Sequence, residues 1–79
     1  MDYKKLRDMV SHRTTFEYDS GCQIIGTIAA CMPADGPVQM VVLSKVQVLD
    51  AGRNVMAKYE ELPMVPNNLI GFQITEGPL

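Results

Sequence analysis

Aromatic side chains are scarce in this chain. Tryptophan is absent, and the 79 residues include three tyrosines and two phenylalanines. The hydrophobic fraction of 47% nevertheless excludes an intrinsically disordered chain, which would be depleted in apolar residues. The interior must therefore be built from valine, isoleucine, leucine and the six methionines, which we expect to fill gaps in the core. We predict one small domain spanning residues 1–79, with a thin core.

Residues typical of catalytic or metal sites are also few. His12 is the single histidine, and a nucleophile elbow, a P-loop and a dinucleotide fingerprint are all missing. The two cysteines, Cys22 and Cys31, have no histidine cluster with which to bind zinc. We therefore expect a protein that binds something rather than an enzyme, with no cofactor and no metal.

The cysteine spacing and the hydropathy favour a reducing compartment. Cys22 and Cys31 would face opposite sides of one regular strand, so we predict buried free thiols rather than a disulfide. A long apolar run and the apolar core of a signal peptide are both missing from the sequence. These features predict a cytoplasmic protein.

The charge balance excludes a strongly basic surface. The formal net charge is −2 and the isoelectric point is about 5.1, whereas domains that grip the nucleic-acid backbone are usually basic. A local basic patch stays open, because five of the seven basic residues precede position 50: Lys4, Lys5, Arg7, Arg13 and Lys45.

The hydrophobic periodicity predicts one helix followed by five strands. Residues 1–12 read as a helix capped by Asp2, with an apolar face formed by Tyr3, Leu6, Met9 and Val10. Turn signals separate strands over residues 14–18, 22–31, 38–49, 55–62 and 69–75. This order predicts a mostly β fold, in which a short N-terminal helix precedes a five-stranded, strongly bent antiparallel sheet forming a small open barrel over residues 14–75. Residues 76–79 are predicted to be a tail.

Two strands carry further information. The second predicted strand has one face made of Cys22, Ile24, Gly26, Ile28 and Ala30, and a glycine inside a strand often marks a sharp bend. The third is apolar on both sides at its start, where Val38, Met40 and Val42 share a face with Val46 and Val48 while Val41 and Leu43 lie opposite. We therefore expect both faces to be covered, one by the barrel interior and one by the helix or another copy.

Two polar loops are the remaining candidates for binding. Asp35 lies in the sequence PADGP of residues 33–37, where an aspartate can form a turn or contact a ligand. Asn67 and Asn68 can offer donors and acceptors to a base edge or a peptide, or can serve a tight turn. The sequence leaves both interpretations of each loop open.

The order of elements and two motifs resemble the Sm/LSm family. The first motif is resembled by residues 16–21 (FEYDSG), 25–28 (IGTI) and 41–43 (VVL), and the second by residues 64–72 (MVPNNLIGF). The resemblance implies a bent five-stranded barrel whose fourth strand joins the fifth strand of the next copy. It also implies rings of about five to seven copies that bind single-stranded RNA at the pore loops.

The resemblance implies site residues one by one. Asp35 and Gln39 are nearest to the family's RNA-contacting Asp and Asn, with Met40 as the alternative to Gln39, and Asn67 and Asn68 match the second motif. Lys4 and Arg7 are candidate phosphate contacts, and Val41, Leu43, Ile70 and Phe72 are candidate interface residues.

The chain departs from the family in its second motif, where Val65 and Pro66 stand in place of an Arg-Gly pair. The alternative interpretation is therefore a homo-oligomeric or protein-interaction module that binds no nucleic acid.

Overall fold

One short helix and five strands form the fold in a computed structural model that describes residues 3–75. The elements are α1 (Lys5–Asp8), β1 (Arg13–Tyr18), β2 (Gln23–Met32), β3 (Met40–Leu49), β4 (Val55–Met64) and β5 (Leu69–Ile74). All strand pairs are antiparallel, and the strands lie in the order β4-β3-β2-β1-β5 in one sheet. The predicted fold class, a short helix followed by a five-stranded antiparallel sheet, is confirmed.

The helix is shorter than the predicted residues 1–12. Helical structure covers Lys5–Asp8, and the predicted cap, Asp2, lies outside the described residues. The helix ends early because the residues that follow it are hydrogen-bonded to β2. The Ser11 N–H donates to the Ile28 carbonyl (2.7 Å), and the Ile28 N–H donates to the His12 carbonyl (3.2 Å). Ser11 adopts a φ of 78°, which no helix contains.

The predicted apolar face of the helix survives this shortening. The side chains of Leu6 and Met9 belong to the buried core, and Tyr3 and Val10 pack against it. The spacing of apolar residues therefore identified the correct inward side, although the backbone completes little more than one helical turn.

The face assignment predicted for β3 is wrong beyond its first half. Val41 and Leu43 are fully buried, but the next core residue is Val46, an odd number of positions later. Lys45 lies between them with a φ of 52°, and the register of β2 with β3 shifts at the same place. A bulge residue therefore reverses the alternation. Met40, which was predicted to share a face with Val46, is 36% exposed.

Gly26 is the residue of β2 that faces this bulge. A Cβ atom at position 26 would lie 3.2 Å from the Cβ of Leu43 and 3.2 Å from the Cγ2 of Val46. The missing side chain therefore lets the two strands approach closely where the sheet bends, as the sequence position of this glycine suggested.

Replacing Gly26 by valine should destabilise the fold. The added methyl groups have no room between Leu43 and Val46, so we expect the free energy of unfolding to fall by about 1–3 kcal/mol. Urea unfolding followed by circular dichroism measures the change. Gly71→Ala is the matched control, because a Cβ at position 71 meets no atom of the chain within 4 Å. Equal stability of the two variants would contradict this account of the bend.

The core combines residues of α1 with residues of all five strands. Its fully buried side chains are those of Phe16, Leu6, Ile28, Leu43, Val41, Val46 and Thr14. The one buried polar residue named among these, Thr14, is satisfied by its hydroxyl, which donates to the His12 carbonyl (3.1 Å). The two cysteine thiols are free, as predicted, but both side chains are half-buried rather than enclosed.

The edges of the sheet are formed by β4 and β5. Within residues 3–75, β4 pairs with β3, β5 pairs with β1, and no ladder joins β4 to β5. Each of these strands therefore has a row of backbone N–H and C=O groups without a strand partner among the described residues.

Candidate functional site

The register of β3 brings the two candidate loops to the same end of the sheet. At the start of β3, Met40 lies opposite Met32 and Val41 lies opposite Met64. The β2–β3 loop therefore leaves the sheet beside the point where β4 runs into the β4–β5 loop. These two loops were expected from the sequence to meet, and the pairing of β3 with β2 and β4 brings their bases together.

The β2–β3 loop is held by α1 and closed at its base. The Arg7 guanidinium donates to the Pro33 carbonyl (2.8 Å) and to the Gly36 carbonyl. The Gln39 N–H donates to the Met32 carbonyl (2.8 Å). Because these main-chain bonds fix the loop, the exposed carboxyl group of Asp35 is presented to solvent near its tip.

Arg7 was predicted to contact phosphate, and in the structure its side chain binds the backbone of the β2–β3 loop. Its side chain is half-buried, it bridges two loop carbonyls, and its Nε has no hydrogen-bond partner among the described residues. Arg7 therefore acts as a clamp on the β2–β3 loop. Lys4, the other predicted phosphate contact, is exposed at the N-terminal end of α1.

Removing the Arg7 clamp should loosen the β2–β3 loop. In Arg7→Met we expect the Gln39 amide, whose N–H donates to the Met32 carbonyl at the base of this loop, to exchange with deuterium about tenfold faster, equivalent to about 1.4 kcal/mol of lost local stability. Hydrogen-exchange mass spectrometry measures this change. Lys5→Met is the control, since Lys5 is exposed on the same helix. Unchanged exchange in Arg7→Met would show that the clamp does not hold the loop.

Arg7 also lies close enough to influence Cys31. Burial raises the pKa of the Cys31 thiol above its ordinary value, and the positive charge of Arg7 opposes this shift. The thiol is therefore mainly protonated at neutral pH and is a poor nucleophile there. This behaviour agrees with a structural role for Cys31 at the end of β2.

The β4–β5 loop has buried apolar residues that anchor it and exposed polar residues at its surface. Pro66 and Leu69 are buried, whereas Asn67 and Asn68 are exposed. The Asn67 N–H donates to the Val65 carbonyl (2.8 Å), and the Asn68 carbonyl accepts from the Asp19 N–H (3.3 Å). The amide side chains are thus held at the surface by bonds that use the backbone.

Asn68 also serves the turn itself. Its φ of 63° lies in the left-handed region, which asparagine tolerates better than most residues. The turn interpretation of this residue is therefore supported, and its side chain stays at the surface. Asn67 is not among the residues with a positive φ, so its side-chain amide is the one that the left-handed turn does not explain.

An apolar surface beside these loops was missed by the sequence analysis. Met32, Pro33, Gln39 and Met40 line an open cleft of about 520 Å³, and Val65 of the other loop is 56% exposed. The expectation that methionines fill the core is wrong for Met32, Met40 and Met56, which are 44%, 36% and 67% exposed. For Met32 and Met40, the signal available in the sequence was their position at strand ends on either side of a proline-rich loop.

The predicted interface residues divide into two groups. Val41 and Leu43 are fully buried in the core of the chain, so their side chains offer no surface to another copy. Ile70 is 59% exposed on the edge strand β5. Phe72 is half-buried, with its ring centroid 6.2 Å from that of Tyr3 and 6.3 Å from that of Phe16.

The edge strands carry a larger apolar surface than the sequence analysis named. Of the eight large hydrophobic side chains exposed in the described region, five lie on β4 or β5. They are Val55, Met56 and Tyr59 on β4, and Ile70 and Ile74 on β5. Exposed apolar groups therefore coincide with the two unpaired edges.

Residues 3–75 contain neither a candidate metal centre nor a candidate membrane-spanning helix. No group of three or more His, Cys, Asp or Glu side chains within residues 3–75 is arranged to hold a metal ion. No helix of this part of the chain is long and apolar enough to cross a membrane.

Comparison with known proteins identifies the fold. No protein-family model matches the sequence, and no curated protein sequence matches it. Among solved structures, the fold is similar to that of the Pyrococcus abyssii Sm protein in complex with a uridine heptamer, with a TM-score of 0.72. The sequences are 13% identical, and the match covers 95% of this chain and 99% of that protein. The chain therefore has a divergent Sm-like fold, as its motifs had indicated.

Proposed function

We propose that this chain assembles into a closed ring, in which β4 of one copy pairs with β5 of the next, and that the ring binds single-stranded RNA at the β2–β3 and β4–β5 loops. The observation that carries the proposal is the presence of two unpaired, apolar edges in one sheet. The likeness to an Sm protein that holds a uridine heptamer supports the same function.

The edges favour assembly for two physical reasons. An unpaired edge strand offers backbone hydrogen bonds to any strand that reaches it, and the exposed side chains of β4 and β5 add apolar area to be buried. The two edges are different surfaces, so pairing one with the other is a head-to-tail contact. Such a contact forms a ring when the rotation closes, and we propose about five to seven copies.

The two loops supply the groups that single-stranded RNA needs. Asp35, Gln39 and Asn67 are exposed polar side chains that can pair with base edges, and Met32 and Met40 offer an apolar surface against which a base can pack. In a ring, the loops of all copies would meet around one opening. A strand would then contact the same groups repeatedly.

The expected RNA affinity is modest. The net charge is −2, and phosphate contacts by basic side chains supply much of the affinity of nucleic-acid-binding proteins. The β4–β5 loop has Val65 and Pro66 in place of an arginine-containing pair, and Arg7 is engaged by loop carbonyls. Lys4 is the remaining phosphate contact that we propose near α1.

A second function is favoured by the same charge balance. An acidic chain with apolar edges and no arginine in the β4–β5 loop fits a homo-oligomeric or protein-interaction module that binds no nucleic acid. Both functions require binding and no catalysis, and neither requires a cofactor. We propose a reducing compartment such as the cytoplasm for either, because both thiols are free.

Two measurements test the proposal in order. Light scattering after size exclusion should give a discrete mass of about five to seven times the 8.7 kDa chain, and a monomer would exclude the ring. Fluorescence anisotropy with labelled oligo-uridine should then show saturable binding that weakens with salt. A discrete multimer that leaves oligo-uridine unbound at low salt would favour the interaction module.

A further inference from the structure

An open cleft of about 600 Å³ lies beside the middle of β3 and is separate from the two loops. Residues of β1, β2, β3 and β4 line it, and neither the methionine surface nor the asparagines belong to it. Three of its lining residues are cationic, namely Arg13, Lys45 and Lys58. Sequence analysis had left a local basic patch open, and Arg13 and Lys45 are among the residues that suggested it.

The bulge in β3 brings these cations together. Lys45 is the bulge residue, and Arg13 Nη1 donates to its carbonyl oxygen (3.0 Å), so the Arg13 guanidinium is tied to the backbone of β3. Lys58 lies on the adjacent strand, where it pairs in register with Gln47. Three strands therefore each contribute one positive charge to the same concavity.

The charge in this cleft is opposite to that of the chain. Three of the seven basic residues line it, against one carboxylate, Glu60, so its formal charge is +2 in a chain of net charge −2. Placing like charges in one concavity is unfavourable unless an anion joins them. Lys45 also holds a left-handed φ of 52°, a conformation that costs a non-glycine residue free energy and that often occurs at binding sites.

We propose that this cleft is a second binding site, for the phosphate groups of a single-stranded nucleic acid. Arg13 is held by its hydrogen bond to β3, and its remaining N–H groups can donate to phosphate oxygens. Lys45 and Lys58 add two mobile positive charges. Tyr59 also lines the cleft, but it belongs to the β4 edge that the proposed ring would cover, so the site rests on the three cations. The site lies away from the loops, so it would extend the path of a bound strand.

The first test uses inorganic phosphate, so that it does not depend on RNA binding at the loops. Phosphate titrated at constant ionic strength should shift the backbone NMR signals of Lys45, Lys58 and Tyr59, while chloride should not. The variant Lys45→Asn with Lys58→Gln should abolish these shifts. Asparagine is chosen at position 45 because it tolerates the left-handed backbone.

A matched double variant controls for charge and backbone together. Lys5→Gln with Arg53→Asn also removes two positive charges, and Arg53 has a left-handed φ of 65° in an exposed turn outside the cleft. This control should keep the phosphate-induced shifts. Equal shifts with chloride, shifts that survive the cleft variant, or shifts lost in both variants would overturn the proposal. If an oligo-glutamate peptide displaces phosphate equally well, the cleft binds carboxylates as readily as phosphates, and the assignment of phosphate as its ligand is overturned.

The second test uses an oligonucleotide and separates this site from the loops. The cleft variant should lower the slope of log affinity against log salt by about 1 to 2, because about that many phosphate contacts are lost. Loss of the loop amides should weaken binding with the slope unchanged. An unchanged slope in the cleft variant would overturn the second site and leave the loop site standing. Phosphate shifts without oligonucleotide binding would contradict the proposed RNA function and the nucleic-acid origin of the phosphate.

Discussion

Replacing Ile70 by glutamate should convert the assembled protein into monomers. Ile70 is 59% exposed on the edge strand β5, at the proposed contact with β4 of the next copy. A carboxylate there would have to be buried without a partner between two strands, at a cost of several kcal/mol in each contact. Light scattering after size exclusion should therefore give a mass near 8.7 kDa instead of a discrete multimer.

The control places the same carboxylate on an interior strand. Ala29 is exposed on β2, which pairs on both sides within the chain, so Ala29→Glu should leave the mass unchanged. Circular dichroism should show that both variants keep their β structure. A multimer of unchanged mass in Ile70→Glu would mean that the copies do not meet through β5, and the ring proposal would fail with it.

The number of strands and their positions along the chain were largely predictable from the sequence, whereas the inward face of β3 was not. Alternation and turn signals placed all five strands, and the structure confirms the sheet class while shifting individual ends. The β3 strand begins at Met40 rather than at Val38, because the latter is a buried residue of the loop that precedes the strand. Local patterns were sufficient here because each strand has one face on a single core.

What the sequence could not predict depends on contacts between distant residues. A helix over residues 1–12 satisfies local periodicity, but the hydrogen bonds of Ser11 and His12 to β2 end it early. The reversal of β3 at Lys45 follows from a bulge opposite Gly26, and alternation within one strand cannot reveal a bulge. These two long-range effects account for the shortened helix and for the reversed face of β3.

The candidate site, like the fold, was only partly predictable from the sequence. The exposure of Asp35, Gln39 and Asn67 follows from loop signals that the sequence contains. Their approach to one end of the sheet follows from the pairing of β3 with β2 and β4, and the clamp formed by Arg7 joins residues 26 and 29 positions apart. Residue type predicted which groups are polar, and the tertiary structure decides which of them are available to a ligand.

Removing the two loop amides should abolish RNA binding without unfolding the protein. The variant is Asn67→Ala with Asn68→Gly, and glycine is used at position 68 because the backbone φ there is 63°. Both side chains are exposed, and the hydrogen bonds that hold this loop use backbone atoms, so the fold should retain its stability. We expect the affinity for oligo-uridine to fall by at least about tenfold, which corresponds to a loss of at least about 1.4 kcal/mol in the free energy of binding.

A comparison variant, Met40→Ala, changes the apolar side of the same site. Met40→Ala removes part of the surface against which a base would pack, and it leaves every loop amide in place. If bases are recognised by their edges, the asparagine variant should lose the preference for oligo-uridine over a random pool, whereas Met40→Ala should weaken both ligands equally. An asparagine variant that binds oligo-uridine as tightly as the unmodified chain would leave Asn67 without a ligand and favour the interaction module.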